Sequence, residues 1–135
     1  MVVEDEILVR AATARYLREA GCIVFEAVSA EECLDLLASD RSIDVVFADI
    51  RLPQQSGLDL VRTLKQTHPH LGLVLTTGAK LDEPLPDGVA LLQKPYGLFE
   101  IERRIAVLRN RRNPGANRNS PIGTNPSPPT KPSRP

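Results

Sequence analysis

Short apolar runs alternate along this chain with stretches in which apolar residues recur at the spacing of an amphipathic helix. The run IDVVFA, residues 43–48, is apolar on both faces, which is typical of a parallel strand buried inside a sheet. The pattern predicts strands over residues 1–3, 22–28, 43–48, 71–76 and 89–92, and helices over residues 7–20, 30–39, 58–67 and 98–111. This alternation predicts an α/β fold, a doubly wound five-stranded parallel sheet with helices on both faces.

Local signals support several of these boundaries. Gly21 follows the first helix, where a glycine commonly ends a helix. Ser29 and Glu32 form a capping box at the start of the second helix. The last helix has one apolar face, formed by Leu98, Ile101, Ile105 and Leu108.

One helix of the alternating pattern is reduced. The segment TGAKLDEPLPDG lies between the fourth and fifth strands, and it contains Pro84 and Pro86. Proline removes a backbone donor and collides with the preceding turn, so a regular helix cannot run through this segment. The fourth helix is therefore predicted to be missing or cut to a turn.

The carboxy-terminal residues 113–135 differ in composition from the rest. They contain 7 prolines, 4 asparagines and 3 basic residues, and no acidic residue. Such a segment buries too little apolar surface to fold, so we predict a folded domain over residues 1–112 and a disordered, basic, Pro/Asn-rich tail over residues 113–135. The tail is interpreted as solvated chain, with recruitment of a partner as the alternative.

Composition narrows the class of protein. Residues 1–112 hold 14 Lys and Arg against 17 Asp and Glu, which is ordinary for a globular domain. No apolar run is long enough to span a bilayer, and the start MVVEDE lacks the features of a signal peptide. Cys22 and Cys33 lack metal-site spacing and are interpreted as reduced core residues, with a redox or metal role as the alternative. We expect a cytoplasmic protein.

Polar side chains follow four of the five predicted strands. Glu4 and Asp5 come after the first strand, Asp49 after the third, Thr77 after the fourth and Lys94 after the fifth. Ligands of open parallel sheets bind beyond the carboxyl ends of the strands, so these side chains are candidates for one site. Each of these side chains also has a simpler explanation. Glu4 and Asp5 would place negative charge at the start of the first helix, Asp49 would cap a loop, Thr77 would bond its own backbone and Lys94 would lie in solvent.

The chemistry that this set supports is phosphoryl transfer to a carboxylate. Clustered carboxylates offer hard oxygen ligands to Mg²⁺. In this hypothesis Asp49 is the nucleophile, the Lys94 ammonium neutralises phosphoryl charge and the Thr77 hydroxyl contacts the new phosphoryl group.

The motifs VVEDE, FADIRLP with a glycine four residues later, LTTGA and KPY resemble the receiver domain of two-component response regulators over about residues 1–112. The resemblance implies a flavodoxin-like, three-layer fold. It also implies these roles: Asp49 as phosphoacceptor, Glu4 and Asp5 as the metal-binding acids, the Arg51 carbonyl as a further ligand of Mg²⁺, Thr77 as the switch hydroxyl, Lys94 as the conserved-type lysine, and a cis peptide bond before Pro95. Thr76 is a rival of Thr77, but the glycine that follows favours Thr77.

The sequence departs from the family in two places. Receivers often carry an aromatic residue three positions before the lysine, where this chain has Leu91, so an aromatic readout there is not expected. The segment LTTGAKLDEPLPDG is similar to a subgroup with a Phe-Ala-Thr-Gly-x-Tyr motif and an altered fourth helix, although Leu75, Thr76 and Lys80 replace three of its residues. Members of that subgroup are single-domain regulators in phosphorelays.

We therefore expect a stand-alone receiver that is phosphorylated by a histidine kinase or a phosphotransfer protein and acts through protein contact or onward phosphate transfer. The alternative is a receiver-like module that binds partners without phosphorylation. The chain is not expected to be an enzyme beyond its own phosphorylation, to bind nucleic acid or membranes, or to be more than a monomer or weak dimer. Arg51 and Ala79 are poor at positioning water, which predicts slow self-dephosphorylation.

Overall fold

A computed structural model describes residues 1–39 and 41–112. Its elements are β1 (Val2–Val3), α1 (Ile7–Glu19), β2 (Glu26–Ala27), α2 (Ala30–Ala38), β3 (Val45–Asp49), α3 (Gly57–Thr67), β4 (Gly72–Thr77), β5 (Ala90–Gln93) and α4 (Leu98–Arg112). The five strands form one parallel sheet in the order β2-β1-β3-β4-β5. The predicted doubly wound α/β fold is confirmed. The predicted tail, residues 113–135, lies outside the described residues.

The core has two parts, one on each face of the sheet. Val46 faces the side covered by α2 and α3, where it shares a buried cluster with Leu64. Phe47 faces the side covered by α1 and α4, where it shares a second cluster with Leu17 and Ile101. Successive strand residues point to opposite faces, so burial on both sides accounts for the uninterrupted apolar character of β3.

The first two strands are shorter than the apolar pattern suggested. The prediction of a strand over residues 22–28 was wrong in length, because β2 pairs only where β1 offers a neighbour, at Val2–Glu26 and Val3–Ala27. The preceding residues Cys22 and Phe25 line a cavity of about 460 Å³ beside Met1. The extent of an edge strand is therefore set by its partner, which the local sequence does not show.

Helix boundaries follow the predicted local signals. Gly21 adopts a φ of 90° after α1, and its N–H donates to the Arg18 carbonyl while that of Cys22 donates to Leu17, the bond pair of a Schellman motif. The Ser29 hydroxyl accepts from the Glu32 N–H at 3.1 Å and caps α2.

On α4, Ile101 and Ile105 are buried, Leu108 is partly buried and Leu98 is 39% exposed, so most of the predicted apolar face meets the sheet. No helix within residues 1–39 and 41–112 is long and apolar enough to cross a membrane.

The segment that joins β4 to β5 contains no helix in the structure, as the two prolines predicted. Leu85 and Val89 pack against the cluster on the α2 and α3 side, so the loop itself covers this part of the sheet. An ion pair between Arg62 and Glu83, 2.7 Å long, joins the loop to α3. The reduced fourth helix of the family pattern is thus replaced by an extended, packed loop.

The start of α3 lies directly against the end of β3. The Gly57 N–H donates to the Ile50 carbonyl at 2.8 Å. A β-carbon at Gly57 would overlap the carbonyl group of Asp49, so only glycine permits this approach. The glycine that the motif comparison singled out therefore serves to hold the backbone that carries Asp49.

Candidate functional site

Parallel pairing brings the predicted site residues to one edge of the sheet. Val3 pairs with Ala48, so Glu4 and Asp49 follow at the same level of neighbouring strands. Asp49 in turn pairs with Thr76 on β4. Glu4 and Asp49 are each only 6% exposed, which places two carboxyl groups in a largely dry environment.

Asp49 is held through both of its carboxylate oxygens. Lys94 Nζ lies 2.6 Å from Asp49 Oδ2, and the Arg51 backbone N–H donates to Asp49 Oδ1 at 2.9 Å. The same ammonium group lies 3.9 Å from Glu4 Oε2. One cation therefore faces two carboxyl groups, and the site has an excess of acidic groups.

This arrangement moves the pKa values of the two acids in opposite directions. Burial, with a smaller contribution from Asp49, raises the pKa of Glu4 from 4.5 to about 7. Burial also acts to raise the pKa of Asp49, but hydrogen bonds from Lys94 and the Arg51 N–H outweigh it and lower that pKa. Asp49 is thereby kept ionised, as a nucleophilic carboxylate requires.

The contact with Asp49 also changes the pKa of Lys94. Burial acts to lower the pKa of Lys94, but its hydrogen bond to Asp49 outweighs this and raises the pKa. Lys94 therefore remains an ammonium group across the physiological range. Its peptide bond to Pro95 is cis, as the family resemblance predicted.

The Thr77 hydroxyl bonds to the backbone of Ala79 in this structure. It donates to the Ala79 carbonyl at 2.9 Å and accepts from the Ala79 N–H at 3.2 Å. The alternative weighed from the sequence, bonding to its own backbone, describes this state. Thr77 lies at the predicted strand end, but the structure does not bring its oxygen to the carboxyl groups.

Asp5 is the second predicted residue that stays outside the cluster. Its side chain is exposed, whereas that of Glu4 is buried and accepts a hydrogen bond from the Glu6 N–H. Within the part of the chain that the structure describes, no three or more carboxylate, histidine or cysteine side chains converge as a metal site. Of the predicted metal ligands, the structure therefore joins Glu4, Asp49 and the backbone of Arg51.

The donor set that is present nevertheless fits a hard divalent cation. The carboxylate oxygens of Glu4 and Asp49 are hard oxygen ligands of the type that Mg²⁺ takes. Burial raises the pKa of Glu4 although the Lys94 ammonium acts to lower it. An added positive charge would favour the ionised form of both.

Arg10 is a residue of this edge that the sequence analysis missed. Its guanidinium donates to the Glu4 carbonyl at 2.9 Å and lies 3.5 Å from a carboxylate oxygen of Glu26. Arg10 therefore holds the turn after β1 in place from α1. Its position one turn into the first helix, directly after the acid pair, was the available signal.

A comparison with protein families identifies the family of this chain. The model of the response regulator receiver domain matches residues 1–98 of the chain. The protein belongs to the receiver domain family. The resemblance inferred from the motifs is confirmed.

Curated relatives of this receiver domain include larger signalling proteins. It is 31% identical over 107 residues to the sensor kinase CckA of Brucella abortus, covering 75% of this chain and 11% of that protein. It is 34% identical over 122 residues to the response regulator MprA of Mycolicibacterium vanbaalenii, covering 84% and 51%. It is 34% identical over 116 residues to the transcriptional regulatory protein CpxR of Escherichia coli, covering 81% and 48%. The chain thus spans about half or less of these proteins.

Solved receiver structures share the fold. A receiver domain protein from Clostridium thermocellum superposes with a TM-score of 0.72 at 28% identity, covering 82% of this chain and 92% of that one. The receiver domain of the hybrid histidine kinase CckA superposes with a TM-score of 0.68 at 28% identity, covering 79% and 94%. The flavodoxin-like receiver architecture is therefore shown for this chain, and receiver domains work in two-component signalling.

Proposed function

We propose that this receiver accepts a phosphoryl group on Asp49. The observation that carries the proposal is the position of Asp49, buried at the end of a central strand, with one carboxylate oxygen against the Lys94 ammonium and the other on the Arg51 N–H. A nucleophile that forms an aspartyl phosphate needs burial, a rigid backbone and an adjacent cation.

The step is a displacement at phosphorus. A carboxylate oxygen of Asp49 forms a bond to the phosphorus of a phosphohistidine as the P–N bond breaks, and the imidazole nitrogen keeps the electron pair and takes up a proton. Lys94 is placed to exchange its contact with Asp49 Oδ2 for the new phosphoryl oxygens. Thr77 reaches those oxygens when its hydroxyl gives up its bonds to Ala79, and that exchange changes the loop after β4.

Mg²⁺ is the proposed cofactor, with Glu4, Asp5, Asp49 and the carbonyl of Arg51 as the groups that would hold it. When bound, it supplies positive charge that offsets the phosphoryl oxygens and the acid cluster. Asp5 differs from Glu4 and Asp49 in that its side chain is exposed in the structure.

The proposed phosphodonor is a histidine kinase or a histidine phosphotransfer protein. Similarity to receiver segments of a sensor kinase and of transcriptional regulators supports this donor class. We propose that the output of this receiver is contact with a target protein or onward transfer of the phosphoryl group.

The test is intact-mass spectrometry after incubation with acetyl phosphate and Mg²⁺. The wild type is expected to gain one phosphoryl group, and Asp49→Asn or chelation of the metal to prevent the gain. Asp35→Asn is the matched control, because Asp35 is an exposed aspartate on α2. A folded wild-type protein that gains nothing would contradict the proposal and favour a module that binds partners without phosphorylation.

A further inference from the structure

A second hydroxyl group lies beside the phosphoacceptor site on the sheet face covered by α1 and α4. Thr76 pairs with Asp49 across β3 and β4, so their side chains point to the same face. Thr76 is 1% exposed. Within the described residues its Oγ1 is the buried side-chain atom that has no hydrogen-bond partner. Buried hydroxyl groups are nearly always bonded, so this one calls for a functional explanation.

Tyr96 is the polar side chain placed to supply that partner. It packs into the same cluster as Phe47, with the two ring centroids 6.1 Å apart and the planes at 83°, an edge-to-face contact. Val74, which precedes Thr76 on the same face of β4, belongs to that cluster, so Tyr96 packs on the sheet face to which Thr76 points. The two hydroxyl groups therefore lie on one face of the sheet, and no hydrogen bond joins them in this state.

Lys94 and Tyr96 belong to one short segment after β5. The Lys94 backbone N–H donates to the Thr77 carbonyl at 2.7 Å, which ties the start of the segment to β4. The Lys94 side chain reaches Asp49, and Tyr96 lies two residues further on against Phe47. A single residue, Pro95, therefore separates the lysine that contacts Asp49 from the tyrosine that packs on Phe47.

We propose that Thr76 and Tyr96 form a hydrogen bond when Asp49 is phosphorylated, and that this bond makes Tyr96 a positioning residue that holds Lys94 at the phosphoryl group. The inference rests on the proposed function of Asp49. It adds a second responding hydroxyl, on the α1 and α4 side of the sheet, to Thr77 at the loop. The unbonded Thr76 hydroxyl favours the phosphorylated state, because that state gives the hydroxyl a hydrogen-bond partner. Leaving a buried hydroxyl group without a hydrogen bond is costly in free energy.

A double-mutant cycle tests the pair. Thr76→Val keeps the shape of the side chain and removes the hydroxyl, and Tyr96→Phe removes only the phenol oxygen. Each is expected to lower the rate of phosphorylation by a limiting concentration of acetyl phosphate about fivefold, the factor that one neutral hydrogen bond contributes. The double variant is expected to be no slower than either single variant. Thr76→Ser, which restores a hydroxyl, is expected to recover most of the wild-type rate.

The protein supplies its own optical readout, because Tyr16 and Tyr96 are its two tyrosines and it has no tryptophan. In a Tyr16→Phe background, the fluorescence of Tyr96 is expected to change when Mg²⁺ and beryllofluoride, a mimic of the phosphoryl group, are added. The change is expected to disappear with Thr76→Val. Tyr16→Phe is also the matched control for rate, since Tyr16 bonds Glu102 on α4 at 3.0 Å.

Three outcomes would overturn the inference. If the double variant is slowed by the product of the two single-variant factors, Thr76 and Tyr96 act independently. Single variants that are folded by circular dichroism and phosphorylate at the wild-type rate would show that the pair has no role. A wild type that takes up no phosphoryl group would overturn the proposed function and this inference together, whereas the first two outcomes leave the role of Asp49 intact.

Discussion

Two carboxyl groups and one ammonium group dominate the chemistry at the residue scale. The Lys94 ammonium lies 2.6 Å from Asp49 and 3.9 Å from Glu4. The positive charge therefore stabilises the ionised form of Asp49 more than that of Glu4. Asp49 consequently stays ionised, while Glu4 retains a proton to unusually high pH. This difference in pKa keeps Asp49 a charged, reactive carboxylate, whereas the charge of Glu4 changes with pH.

This inequality predicts a pH dependence of stability. The pKa of Glu4 is about 7 in the folded protein against an ordinary 4.5. The folded state therefore holds a proton that the unfolded chain releases, and the stability it contributes is complete below pH 4.5 and lost as the pH rises through 7. Without Mg²⁺, the wild type is expected to lose unfolding free energy relative to Glu4→Gln over this interval, on the order of 1–3 kcal/mol.

Urea unfolding at a series of pH values, with a chelator present, measures this difference. Glu31→Gln is the matched control, because Glu31 is an exposed glutamate on α2. Parallel stability curves for the wild type and Glu4→Gln would show that Glu4 titrates as an ordinary carboxyl group. Addition of Mg²⁺ is expected to reduce the difference, since an added cation favours the ionised form of Glu4.

The two residues that flank the predicted phosphoryl position lead to a kinetic prediction. Arg51 and Ala79 are both exposed and neither carries an acid or amide that would orient an attacking water. The phosphorylated protein is therefore expected to lose its phosphoryl group slowly, and Arg51→Asn to shorten the lifetime. The time course of intact mass after removal of acetyl phosphate gives both rates, with Arg103→Asn on α4 as a control for loss of an exposed arginine. A wild-type lifetime of seconds would refute the prediction.

At the scale of elements, the junction between β3 and α3 determines where the phosphoacceptor lies. Asp49 ends β3, the chain turns through residues 50–56, and Gly57 begins α3 against the backbone that it has just left. The strand end is thereby held from both sides, by β4 and by α3. A carboxylate on such a support has little freedom to move away from Lys94.

Gly57→Ala tests this junction. The added β-carbon would overlap backbone atoms of Asp49 and Ile50, which have no flexible side chain to move aside, so one of the two elements must shift. The variant is expected to lose about 1–3 kcal/mol of unfolding free energy, as overpacking typically does, and to phosphorylate poorly. Thermal and urea unfolding measure the first effect.

The control is Gly97→Ala, because a β-carbon at Gly97 meets no atom within 4 Å. This control is expected to remain close to the wild type in stability. A Gly57→Ala protein of unchanged stability would show that α3 can back away from β3 without loss.

For the whole molecule, the two buried clusters of the described residues bear on the domain predicted over residues 1–112. Their residues run from Val2 in β1 to Ile105 in α4, with Leu108 packed at the margin. The sheet, the helices and the connecting loops that the structure describes over residues 1–39 and 41–112 supply all of these cluster residues. Removal of residues 113–135 takes away none of these contacts.

A protein ending at residue 112 is accordingly expected to keep the thermal midpoint and the acetyl phosphate reactivity of the full chain. Calorimetry and intact-mass spectrometry on the two forms give the comparison. A lower midpoint in the shorter form would show that residues 113–135 pack on the domain, contrary to the boundary predicted from composition. A changed affinity for a kinase alone would assign the tail a role in partner binding.

The sequence by itself determined the features that depend on neighbours close along the chain. The apolar character of residues 43–48 identified β3, Gly21 and Ser29 marked helix ends, and Pro84 and Pro86 excluded a helix. Strand ends identified Asp49 and Lys94 as candidates. Each of these follows from periodicity, capping or proline chemistry within a few residues, so no distant contact was needed.

Only the tertiary structure decided which of the candidates meet. It brought Lys94 to Asp49 across 45 residues of chain, left Asp5 in solvent and turned Thr77 towards Ala79. It also shortened β2 to the length of its partner and buried the Thr76 hydroxyl without a bond. These outcomes depend on strand order, register and the direction of side chains on neighbouring elements, which are properties of contacts between distant parts of the chain rather than of any local pattern.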